Sequence, residues 1–201
     1  MDFSKIKKEF PIFKKRINGK KLIYFDNACT VLKPKVVIKA VNDYYKNLGA
    51  CSGDRSSHHL SWRVQELTEQ SREKVKGFIN ASSSKEIIWT RNTTEGINLV
   101  AASYPFKKLK NEVVLTLLEH HSNLLPFYEQ SKRRNFKIKL VSINKDGTLD
   151  LNLLEKAITK STALVSVSHL SNVTGLIYPI KEIASLAHGQ GAKILVDDAQ
   201  Y

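Results

Sequence analysis

Acidic residues are in short supply in this chain, with 19 Asp and Glu against 32 Lys and Arg over 201 residues, a formal charge of +13. Cysteine is scarcer still. Only Cys29 and Cys51 occur, and they have no motif spacing: they could be bridged, metal-bound or nucleophilic in principle, but two unpatterned cysteines are mostly none of these. Both cysteines read as plain small residues in a reducing compartment. Long apolar runs are missing too, since no stretch approaches the roughly 18 consecutive apolar residues a membrane span needs. The opening residues, MDFSKIKKEFPIFKKRINGKK, lack the apolar centre of a secretory signal. A soluble, cytoplasmic protein without a membrane partner is the expectation. With 9 Gly and 5 Pro there is no low-complexity linker or repeat, and 42% hydrophobic content is enough for the core of one ordinary domain.

The surplus of positive charge first suggests nucleic acid. Yet the basic residues are spread over helix-like segments as well as the patches KKR (14–16), FKKLK (106–110) and SKRR (131–134). No zinc-finger spacing or aromatic RNA-binding motif accompanies them. They describe a solvated surface, so no nucleic-acid partner is expected, although an anionic small ligand would profit from the field.

What is present is an alternation. Apolar, β-branched runs at LIYF (22–25), EIIWT (86–90), EVVLTLL (112–118), KIKLVSI (137–143), TALVSVS (162–168) and KILVD (193–197) are separated by segments of helical period. Pro34 opens one predicted helix running to about Leu48, Ser61 can cap a second, and Thr93 or Thr94 can cap TEGINLVAAS. Two more follow near NLLPFYEQSKR and PIKEIASLAHGQ, the last stopped by Gly191, and the turn NKDGT (144–148) precedes a short helix, DLNLLEKAI. This βαβα rhythm predicts an α/β fold, a mostly parallel sheet between two helical layers. Residues 1–21 read as an N-terminal arm and 22–201 as one domain.

Ligands of open parallel sheets bind at the carboxyl ends of the strands, so the residues just beyond each strand are the natural candidates. RNTTEG (91–96) places hydroxyls at a helix start suited to phosphate, though taken alone it reads more readily as a capped helix with Glu95 in the first turn. EHHSN (119–123) could hold a metal, but adjacent ligands cannot share a strand face and no H-E-x-x-H accompanies them, so no metal is expected. One of its histidines could instead lie flat on an aromatic ligand. HLSNVTG (169–175) offers Asn172 beside a tight turn. Asp197 is decisive, because a carboxylate at the end of an apolar strand costs several kcal/mol unless a cation or strong donors meet it. A nearby Lys or Arg, a helix cap, or the protonated ring nitrogen of pyridoxal phosphate would each serve.

YFDNACT (24–30), RNTTEGINLVA (91–101), EHHSNLLPF (119–127), NKDGTLDL (144–151), HLSNVTG (169–175) and LVDDAQ (195–200) together resemble the class V aminotransferases, most closely the cysteine desulfurase and selenocysteine lyase branch. The resemblance implies a fold-type I pyridoxal 5'-phosphate enzyme. It also implies a homodimer, L-cysteine as substrate, alanine and an enzyme persulfide as products, a sulfur-acceptor protein as partner, and sulfur supply for iron–sulfur clusters. By the same resemblance Thr93 and Thr94 would hold the cofactor phosphate, and His120 would stack on the ring and assist proton transfer. Asn172 would sit beside the ring oxygen, Asp197 would pair with the pyridine nitrogen, and Gln200 would donate to the phenolate. Arg55 and His58 resemble a loop that reaches a neighbouring subunit, and Cys29 stands where the family usually has Ala.

The resemblance also places the Schiff-base lysine in a Ser-x-His-Lys stretch beyond the aspartate, and this sequence contains no such stretch. A truncated large domain is therefore expected, inactive alone and edged by an unpaired strand that makes it prone to association. Borohydride treatment should leave no pyridoxyl adduct on one specific lysine. An epimerase, lyase or transaminase of the same family, or a catalytically dead domain that binds pyridoxal phosphate or a partner, are the alternatives.

Overall fold

The computed structural model describes residues 2–53 and 56–201. The chain divides into two compact units, Met1–Trp89 and Thr90–Tyr201.

The first unit is helical. Helix α1 (Phe3–Lys8) starts where Asp2 caps the Ser4 amide, and a two-residue hairpin pairs β1 (Arg16–Ile17) with β2 (Lys20–Lys21). Helix α2 (Lys35–Asp43) follows Pro34 and widens into a π-helical turn, Tyr44–Leu48, closed by Gly49. Helix α3 (His59–Phe78) is the longest element, and its cap is His58, whose Nδ1 accepts the Ser61 amide at 3.3 Å, rather than Ser61 itself. Ser61 is buried in the first turn of the helix, donating its hydroxyl to the Cys51 carbonyl at 2.8 Å. Two predicted strands fail. Residues 22–25 are irregular, with Ile23 and Phe25 exposed, and of 86–90 Glu86 ends a single 3-10 turn, Ser84–Glu86, while 87–90 are irregular. A β-branched run becomes a strand only where a neighbour completes its ladder, and none does so here among the described residues.

The second unit carries the parallel sheet. Helix α4 (Thr93–Ser103) leads to β3 (Glu112–Thr116), α5 (His121–Ser131), β4 (Lys137–Val141), α6 (Leu151–Ala157), β5 (Thr162–Ser168), α7 (Ile180–Gly189) and β6 (Lys193–Asp197). The strand order is β4-β3-β5-β6, with every pair parallel. Side chains alternate across the sheet. Val113, Leu115 and Leu164 therefore pack with Ile97, Ala101 and Phe127 of α4 and α5 on one face. Val114, Val165 and Val167 pack with Leu154, Ile183 and Ala187 of α6 and α7 on the other. The three-layer α/β expectation holds for this unit. Its connections leave β3 toward β4 but leave β5 toward β6, so the strand order reverses between β3 and β5. A crevice at the carboxyl ends of such a pair is where open α/β sheets bind ligands.

Candidate functional site

Strand β6 delivers Asp197 to that edge. It lies opposite Ser168 in the ladder and two residues past Leu195, which packs toward α4 and α5, so Asp197 faces the same side. The side chain is buried, and its Oδ1 accepts the Ala199 amide at 3.1 Å. No Lys, Arg or His among the described residues comes within 4.0 Å to pair with it. The hydrogen bond that meets this carboxylate thus comes from a turn amide rather than from a Lys or Arg side chain.

His120 caps α5. Its Nδ1 accepts the Ser122 amide at 3.1 Å and meets the Ser122 hydroxyl at 2.7 Å, which fixes the ring of this exposed side chain. A groove of about 400 Å³ runs past it, lined by Thr94 and Asn98 from α4 and by Ser122 and Leu125 from α5. Thr93 and Thr94 occupy the first turn of α4 and are exposed. Neither is the cap. Asn92 is, its Oδ1 accepting the Glu95 amide at 2.9 Å, because the residue before the first helical turn has the extended backbone that lets a short side chain fold back. Thr94, in this first turn at the positive end of the helix, lines the groove. Glu95 sits in the same turn, held below the usual carboxylate range by Arg91.

Asn172 is exposed in the turn after β5, where Ser171 Oγ accepts the Val173 and Thr174 amides at 3.2 Å and Gly175 takes a left-handed backbone. Gln200 is half-buried just past β6. Arg55 lies outside the described residues, and His58 serves as the cap of α3. Among the described residues, no group of three or more His, Cys, Asp or Glu is arranged to hold a metal ion, and no helix is long and apolar enough to cross a membrane.

Two features of this edge escape a reading by strand ends. His169 Nδ1 meets Asp198 Oδ1 at 2.8 Å while its ring stacks on Tyr201. Glu119, 8% exposed, accepts four hydrogen bonds at the crevice between β3 and β5. Burial pushes its carboxyl above the usual range despite those donors, and burial first, with the charge of Glu119 second, raises the Tyr178 phenol. The signal for it was in TALVSVS, where two serines at alternate positions interrupt a wholly buried strand and so require buried partners.

Residues 23–201 match the profile of the family described as aminotransferase class-V. The chain belongs to this family. Among curated proteins it is 44% identical over 202 residues to a probable cysteine desulfurase of Halalkalibacterium halodurans, covering 100% of this chain and 50% of that one. It is 40% identical over 201 residues to a cysteine desulfurase of Synechococcus elongatus, covering 99% of this chain and 32% of that one. Among solved structures, the apo cysteine desulfurase of Thermococcus onnurineus superposes with a TM-score of 0.85 at 35% identity, covering 97% of this chain and 47% of that one. The class-V chain described here thus spans about half the length of such relatives or less.

Proposed function

We propose that this class-V chain forms one wall of the pyridoxal 5'-phosphate site of a cysteine desulfurase, which converts L-cysteine to L-alanine and passes the sulfur on as an enzyme persulfide. The observation that carries the reading is Asp197, a buried carboxylate at the carboxyl end of edge strand β6, one strand from the reversal, with no Lys, Arg or His within 4.0 Å among the described residues. The residues present fit the cofactor. Asp197 would hold the pyridine nitrogen protonated, and the first turn of α4 with Thr93 and Thr94 would receive the phosphate through amides and hydroxyls. His120 would stack on the ring, its orientation set by Ser122 at Nδ1, and its Nε2 would hold or move a proton. Asn172 and Gln200 would address the ring oxygen. When bound, the cofactor supplies an electron sink for carbanions beside the ring.

The same reading implies a homodimer and a sulfur-acceptor protein in the working enzyme, and a reducing, cytoplasmic setting in which the exposed Cys29 and Cys51 stay free. Titration of the chain with pyridoxal 5'-phosphate, followed by the cofactor's absorption, tests it. Asp197→Asn should weaken binding about tenfold to a hundredfold, the worth of one charge-assisted hydrogen bond. Equal binding by the wild type and this variant would remove Asp197 from the site.

A further inference from the structure

Between β3 and β5 the sheet reverses its winding, and something has to fix how far apart these two strand ends sit. Backbone pairing does not reach that far, because the ladder between them ends at Leu115 and Ser166. Beyond it the link is made by side chains. Glu119 Oε1 accepts the Thr116 hydroxyl at 2.6 Å, at the end of its own strand. Glu119 Oε2 accepts the Asn123 amide at 2.7 Å from α5, and the Ser168 amide and hydroxyl, each at 2.8 Å, from the end of β5. Asn123 returns to β5 by accepting the Ser166 hydroxyl at 2.6 Å. All five groups are buried.

We infer that Glu119 is a positioning residue, a buried latch that sets the two faces of the ligand crevice relative to each other. Its hydrogen bonds are to Thr116, Asn123 and Ser168. Its effect passes through its neighbours: His120 follows it directly at the cap of α5, and Ser168 is the ladder partner of Asp197. A shift of Glu119 therefore moves the group proposed to stack on the ring against the group proposed to pair with its nitrogen. The inference rests on the cofactor reading for its purpose, but the latch itself stands on the hydrogen bonds alone.

The donor set makes the substitutions informative. Glu119→Gln can keep its oxygen toward Ser168 and Asn123 and turn its nitrogen toward the Thr116 hydroxyl, which can accept, so the latch survives without the charge. Glu119→Ala leaves the buried donors of Asn123 and Ser168 without their acceptor. Leu154→Ala, in the core on the α6 and α7 face, is a control that weakens the fold away from the latch.

The experiment measures two things on the full chain. Without ligand, NMR follows the amide exchange of Ser168 and the ring resonances of His120. With pyridoxal 5'-phosphate, circular dichroism in the cofactor's absorption band reports how the bound ring is held. Glu119→Ala should speed Ser168 exchange at least tenfold, shift the His120 resonances, weaken cofactor binding at least tenfold and abolish the induced dichroism. Glu119→Gln should stay within about twofold of the wild type on every measure, and Leu154→Ala should leave the His120 resonances and the dichroism intact. If Glu119→Ala does not fold, Ser168→Ala and Thr116→Val, each removing one bond, should show the same effects in smaller measure. Unchanged Ser168 exchange and His120 resonances in the alanine variants overturn the latch, as does equal damage from Leu154→Ala or from Glu119→Gln. If the wild type shows no saturable cofactor binding, the cofactor reading falls while the unliganded measurements still decide the latch.

Discussion

Glu119 is costly to charge where it sits, and that cost has a pH signature. Burial raises its carboxyl above the ordinary glutamate value of 4.5, so over the window between that value and the raised one the folded chain holds a proton that the unfolded chain has released. Stability contributed by this group is complete below about 4.5 and is lost as pH rises through the folded value. Carboxyls held low, such as Glu95 and Asp146, act in the opposite sense, losing their contribution as pH falls. Comparing the wild type with Glu119→Gln cancels them. Urea denaturation between pH 4 and pH 8, as a rough range, should show the wild type losing stability relative to the variant as pH rises. A flat difference would mean the carboxyl titrates as in water. At this scale the sequence disclosed Asp197, because its apolar run announces a buried acid. It concealed Glu119, because EHHSN drew attention to its imidazoles and the four donors that satisfy the carboxyl lie on three separate elements.

Elements were legible where their signals are local. Strands β5 and β6 match their apolar runs, and α7 stops at Gly191, whose φ of +66 only glycine adopts without strain. The Lys110 ammonium donates to the carbonyls of Gln190 and Gly191 there, a second stop the sequence did not display. Gly191→Ala forces a left-handed alanine with its Cβ only 2.8 Å from the Lys110 Nζ, and should cost about 1 kcal/mol or somewhat more in chemical denaturation. The cap of α4 is Asn92 rather than the expected Thr93 or Thr94, since all three favour that position and only backbone conformation separates them. Asn92→Ala should lower stability by about 1 kcal/mol while Asn92→Asp holds it, a contrast that a Thr93 or Thr94 cap would not produce. Residues 22–25 and 86–90 mark the limit of such reasoning, because a ladder needs a neighbour that the run does not encode.

Across the whole chain the hydrophobic core is unevenly shared. Every residue of the two apolar clusters lies in Thr90–Tyr201. Among the described residues of Met1–Trp89 only Ser61 and Ile87 are buried, while Val36, Val41, Tyr45 and Phe78 are exposed. Helix propensity and surface ion pairs such as Arg63–Glu66 and Lys76–Glu73 are worth too little to hold a helical unit of that size without burial. Opening free energies should therefore differ sharply along the chain. Hydrogen exchange read by mass spectrometry should find the amides of α2 and α3 exchanging at least a hundredfold faster than those of β3 and β5. Addition of a polypeptide that covers the exposed faces, a second copy included, should slow the first set and leave the second unchanged. Uniform protection from α2 through β6 in a dilute, monodisperse monomer would mean that the first unit has a source of stability other than buried apolar surface.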